Sequence, residues 1–113
     1  MMIFKILRAD EWADLQAHGR SYGAPVDLAD GFVHFSTAAQ VAETAARHFA
    51  GAEDLILCAV PAVPLGEDLK WELSRGGDRF PHLYRALRMT DVIWSAPLPL
   101  GQDGRHLFPE LPA

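Results

Sequence analysis

The segment Leu55-Ile56-Leu57-Cys58-Ala59-Val60 is apolar throughout and shows no alternation. A strand with one face in water carries a period of two. A short run without that period predicts a central strand covered on both sides. Pro61 and Pro64 end the run. Such a strand needs a sheet around it and layers above and below, and 113 residues suffice for one domain of that kind. The chain has one cysteine, Cys58, so no internal disulfide is available and the core must carry the fold. In the middle of this run Cys58 reads as a buried structural thiol.

The other elements follow from local signals. Met2-Ile3-Phe4-Lys5-Ile6-Leu7 reads as a first strand. Asp10 is placed as an N-cap, with Trp12 and Leu15 on one helical face and Gly19 as the stop. Arg20 to Asp30 reads as a polar loop. Gly31 to Ser36 predicts a second strand, and Thr37-Ala38-Ala39-Gln40 fits a capping box opening a helix from Ala38 to about Ala50. Val41, Ala45 and Phe49 form its apolar stripe, and Gly51 closes it. Leu69 to Leu73 alternates as a strand, and Gly76-Gly77-Asp78 is a turn. Phe80-Pro81-His82-Leu83-Tyr84 reads as an aromatic loop, because proline is unwelcome in a central strand. Asp91 to Trp94 is the last strand, and Pro97, Pro99, Pro109 and Pro112 mark an extended tail along the surface. About five or six short strands and two helices in no regular alternation predict an α+β domain, a curved, split and mostly antiparallel sheet with helices beside it.

Charge and missing motifs exclude several classes. Ten Lys and Arg against fifteen Asp and Glu give a net charge of −5, the wrong sign for a nucleic-acid binder that neutralises phosphates. No apolar run approaches the ~20 residues of a membrane span, and the first residues do not form a secretory signal, so the expected location is the cytoplasm and no membrane partner is expected. There is no dinucleotide fingerprint, P-loop, HExxH or paired CxxC, and no pair of acidic residues has metal-ligand spacing. Polar groups set in apolar surroundings are what is left. His34 lies among Phe32, Val33 and Phe35, Glu72 lies between Trp71 and Leu73, and His82 and Tyr84 lie in the proline-anchored segment. Each also has a plain structural reading: a histidine satisfied by a carbonyl, a carboxylate in water, a loop stapled to the core. Together they supply an acid, a base and an anion anchor. The start of the helix after His34, with Ser36, Thr37 and Ala38, is expected to hold a phosphate or sulfate.

These same segments resemble a family. Ile3 to Leu7, Trp12, Gly31-Phe32-Val33-His34-Phe35-Ser36-Thr37 with Gln40, Trp71-Glu72 and Phe80-Pro81-His82-Leu83-Tyr84 look like the successive motifs of a small bacterial family labelled domain of unknown function 952. Arg85 stands where that family usually has glycine. The family's fold is similar to the ADP-ribosyltransferase-like group, which binds NAD across a split sheet. Gly31 to Phe49 looks like that group's second motif, while the group's first-strand histidine would fall near Lys5 or Ile6 and is not reproduced in this chain. The resemblance implies a cleft for a nucleotide-like or phosphorylated small ligand, with NAD as the cofactor to consider and ADP-ribosyl transfer as the chemistry. In that reading Glu72 stabilises a sugar cation, with His34 and His82 beside it as catalytic groups. Ser36, Thr37, Gln40, Trp71 and Tyr84 hold the ligand. Two other readings stay open: a non-catalytic binding or protein-interaction module using the same residues structurally, and metal-free hydrolysis with His34 and His82 as an acid–base pair.

Overall fold

The computed structural model describes residues 1–112. The apolar run folds as strand β5 (Leu55–Pro61), antiparallel to β1 (Met2–Leu7) on one side and to β9 (Trp94–Leu98) on the other. The short β4 (Ser36–Thr37) adds to the far edge of β1, giving the order β4-β1-β5-β9. Side chains alternate across β1 and β5 and enter two separate cores. Ile3, Leu7, Cys58 and Val60 face one, while Phe4, Ile6, Leu55, Leu57 and Ala59 face the other. Cover on both faces removes the polar half of the usual alternation. Burial pushes the Cys58 thiol up to about 12, and it is free and buried.

One core is closed by helix α3 (Val41–His48), through Val41 and Ala45. The other is closed by α1 (Ala9–His18), through Leu15, and by a second sheet. That sheet has the order β3-β7-β6, built from β3 (Val33–His34), β7 (Arg79–Leu83) and β6 (Leu69–Leu73). Its inner face supplies Val33 and Leu83, with Leu69 and Trp71 packed against them. A two-stranded ribbon of β2 (Arg20–Ser21) and β8 (Leu87–Arg88) completes the set. No helix among the described residues is long and apolar enough to cross a membrane.

The α+β class and the antiparallel pairing hold, and the details differ from the sequence reading in instructive ways. Among the described residues, nine strand segments in three sheets and three α-helices stand in place of the five or six strands and two helices expected. The α1 N-cap is Arg8, whose backbone N–H donates to Glu11 (2.9 Å), in place of Asp10. The loop from Arg20 to Asp30 contains a helix, α2 (Pro25–Asp30), with proline at its first position and the Asp27 carboxylate accepting the Ala24 N–H (2.7 Å). The single strand expected over Gly31 to Ser36 is divided, because at Phe35 the chain leaves one sheet and enters the other. The aromatic segment is the middle strand of its sheet despite Pro81. The Pro81 carbonyl accepts the Phe35 N–H (3.0 Å), so its polar edge faces β3, and its missing N–H falls where β3 ends. The last strand begins at Trp94, and a 3-10 turn over Met89–Asp91 precedes it. Pro97 sits on this edge strand, and the tail beyond packs Phe108 and Leu111 against the second core.

Candidate functional site

The outer face of the three-stranded sheet carries the polar residues that the strand period separates from its core face. His34 of β3 stands directly opposite His82 of β7. Their rings lie 5.2 Å apart at 67°, and Phe32 stacks on His82 at 4.1 Å. Glu72 of β6 shares this face with His82, since its register partner is Phe80 and side chains repeat every second residue.

Each histidine is held by a carboxylate. His82 is buried, and its Nδ1 lies 2.9 Å from Glu72 Oε1. A carboxylate only accepts, so Nδ1 carries a proton. The Tyr84 hydroxyl donates to the same Oε1 at 2.6 Å. Those two bonds, Tyr84 foremost and His82 second, hold the Glu72 carboxyl below its ordinary range, against a smaller opposing effect of burial. The same bond pushes the Tyr84 phenol up. Tyr84→Phe is therefore expected to move the Glu72 carboxyl titration upward, followed by carbon NMR across the acid range. An unchanged titration would show that the phenol does not hold the carboxylate in solution.

His34 sits between two carboxylates. Its Nδ1 is 2.6 Å from Asp27 Oδ1, and its Nε2 is 3.0 Å from Asp30 Oδ2. Both contacts are hydrogen bonds only when both ring nitrogens carry protons. Asp27 has no exposed side-chain surface and also meets the Lys5 ammonium at 2.9 Å. Burial pushes the Asp27 carboxyl up, but the His34 hydrogen bond and Lys5 outweigh it and bring it down to about 2.

The two histidines border a cleft of about 680 Å³ between the sheets, flanked by α2 and α3 and lined also by Lys5, Ser36, Thr44 and Phe80. That volume is in the range of small-molecule sites. The crossing at Phe35 makes this possible, since it sets His34 in one sheet and Ser36 in the other on two sides of a single residue.

Of the residues singled out in the sequence, His34, His82 and Ser36 line the cleft, and the Ser36 hydroxyl is bonded to that of Thr44 (2.9 Å). Glu72 and Tyr84 reach the cleft through His82, and neither lines it; Tyr84 borders a smaller hollow of about 160 Å³. Trp71 is on the opposite face, packed against the core. Thr37 belongs to β4 and is not a helix cap, because α3 begins only at Val41. The Thr37 N–H donates to Gln40 Oε1 (3.0 Å), and Gln40 Nε2 donates to the Arg79 carbonyl (2.8 Å). The anion site expected at Ser36, Thr37 and Ala38 therefore lacks the helix start on which it depended. Arg85, in place of the family's glycine, has an ordinary backbone and pairs with Asp91 through two bonds (2.9 and 3.1 Å). Sequence reading missed Lys5, Asp27 and Asp30. The signals were a lone charge inside a buried strand and an acid two residues after Pro25.

Comparison with known proteins agrees with this architecture. No curated protein matches the chain. The crystal structure of protein CC0527 from Caulobacter crescentus is 54% identical, over 95% of this chain and 94% of that one, with a TM-score of 0.91. The solution NMR structure of CC0527 is 56% identical, over 92% and 90%, with a TM-score of 0.83. Residues 6–95 match the family described as Protein of unknown function (DUF952), and the chain is a member of that family.

Proposed function

We propose that the cleft binds a phosphorylated, nucleotide-like small molecule and that His82 and His34 act on it as base and acid. The observation that carries this reading is the opposed histidine pair at the cleft wall, each with its Nδ1 on a carboxylate. Fixing Nδ1 of His82 on Glu72 leaves its Nε2 able to move a proton, while Nε2 of His34 is shared with the half-exposed Asp30. His82, whose neutral form bonded to Glu72 has its lone pair on Nε2, is the acceptor. His34, with a carboxylate at each nitrogen, is the donor. The permanently charged groups of the lining favour an anion: among the described residues Lys5 and Arg8 face it against Glu11, in a chain whose net charge is −5.

Glu72 serves as the positioning partner of His82 in this reading. ADP-ribosyl transfer would instead ask Glu72 to face a sugar cation, and its Oε1 already serves both His82 and Tyr84. The split between the sheets at Phe35 supports the likeness to the ADP-ribosyltransferase-like group, so NAD belongs among the ligands tried. Thermal shift against nucleotides, sugar phosphates, ADP-ribose and NAD tests the proposal, since a ligand of the native state raises its melting temperature. Glu72→Gln keeps the shape and removes the charge. It is expected to leave a folded protein with a somewhat lower melting temperature, since the charge also accepts from His82 and Tyr84, while weakening the ligand that stabilised the parent protein. No stabilising ligand at millimolar concentration would favour the interaction-module reading.

A further inference from the structure

Asp27 is tied to His34 more thoroughly than a stabilising ion pair requires. Its Oδ1 accepts two bonds from that one residue, the backbone N–H at 2.9 Å and the ring Nδ1 at 2.6 Å. Its Oδ2 accepts the Lys5 ammonium at 2.9 Å and the Ala24 N–H at 2.7 Å. Two oxygens hold four donors, so the carboxylate can neither rotate nor trade partners. The surrounding loop is shaped to this group. Gly23 adopts a positive φ of 93°, and a Cβ there would overlap the Asp27 carboxylate. A buried ion pair gives little net stability, because desolvation offsets the attraction, and an apolar pair of similar size holds a fold as well. Lys5 occupies a β1 position between Ile3 and Leu7, on a face whose other residues are apolar. An aliphatic side chain there would serve the core equally well.

We infer that Asp27 is the positioning residue of His34, with Lys5 as the counter-ion that holds it in place. The inference rests on the proposed acid–base cleft for its purpose but not for its test. Lys5 fixes one oxygen from the central sheet, and the other oxygen fixes both the backbone and the ring of His34. The imidazole is thereby set at the cleft wall with Nδ1 turned away from a ligand. A carboxylate free to turn would let the His34 ring follow it, and pre-organisation would be lost.

The test uses the whole chain labelled with nitrogen-15. Two-bond proton–nitrogen spectra of the parent protein are expected to show a protonated Nδ1 on His34, with its proton shifted far downfield by the short bond to Asp27. An unprotonated Nδ1 overturns the inference without any variant being made. Asp27→Asn combined with Lys5→Met removes both charges together, and Lys5→Met alone is the control that keeps Asp27. In the folded double variant the downfield His34 Nδ1 proton is expected to be lost, with Nε2 still beside Asp30, while the ring signals of His82 stay. Unchanged His34 signals would overturn the assignment. Affinity for whichever phosphorylated compound stabilises the parent protein is expected to be at least tenfold lower in the double variant than in Lys5→Met alone, which already lacks the cleft cation. A parent protein that binds none of these compounds would remove the proposed function, and the ring spectra would still decide the role of Asp27.

Discussion

Leu57→Asp is expected to leave no folded protein. Leu57 has no exposed surface and sits in the middle of β5, paired with Ile6 on one side and Ala96 on the other. Its side chain enters the core formed with Phe4, Val41, Ala45 and Leu98. The buried residues packed around Leu57 in this core are apolar, so an aspartate there is given no cation to pair with. Loss of the leucine and burial of an unpaired charge together cost more than about 5 kcal/mol. A domain of this size has about 5–15 kcal/mol in total. Circular dichroism and urea titration should find no cooperative transition. A soluble Leu57→Asp protein that unfolds cooperatively would mean that the core lies elsewhere. An aspartate at exposed Leu107, in the tail, is expected to change stability by less than about 1 kcal/mol.

The same strand shows what a sequence discloses and why. Leu55 to Val60 was legible because cover on both faces erases the polar half of the pattern, a signal confined to neighbouring residues. His34 and His82 stood out as polar residues among apolar ones, and that anomaly survives without knowledge of the fold. The division at Phe35 was not legible, since β3 and β4 are two residues each and too short to carry a period. Pro81 misled because the rule against proline in central strands assumes partners along the whole strand, and here β3 ends where the missing N–H would bond. The box at Thr37 and Gln40 also misled. Gln40 Oε1 accepts the Thr37 N–H as a box predicts, but that bond closes a turn ahead of the helix. Helix α2 is six residues long and would not persist alone; what fixes it is a bond between Asp27 and Lys5, 22 positions apart. The local cues for it, Pro25 and Asp27, were present, but the partner that gives them meaning lay in another strand.

That bond sets the second large effect. Asp27→Ala alone leaves the Lys5 ammonium buried without its anion, and breaking a buried pair in this way costs about 3–5 kcal/mol. Joint replacement as Lys5→Met with Asp27→Asn is expected to recover most of that loss, because no charge is then stranded. Acid tests the pair further. The Asp27 carboxyl falls from its ordinary 3.8 to about 2 in the folded chain. A carboxyl lowered by folding stabilises the native state at every pH above its unfolded value. That contribution shrinks as pH falls below 3.8 and is gone once pH has passed through the folded value near 2. The gap between 3.8 and about 2 corresponds to about 2 kcal/mol. Glu72 and Asp91 are lowered as well and add losses of the same sign, so the comparison must be made between proteins that share them. Urea titrations at about pH 5 and about pH 2 should show the parent protein losing about 2 kcal/mol more than the double variant. Equal losses in the two proteins would mean that Asp27 is not held as an anion by Lys5 and His34, and the clamp on the histidine would fall with it.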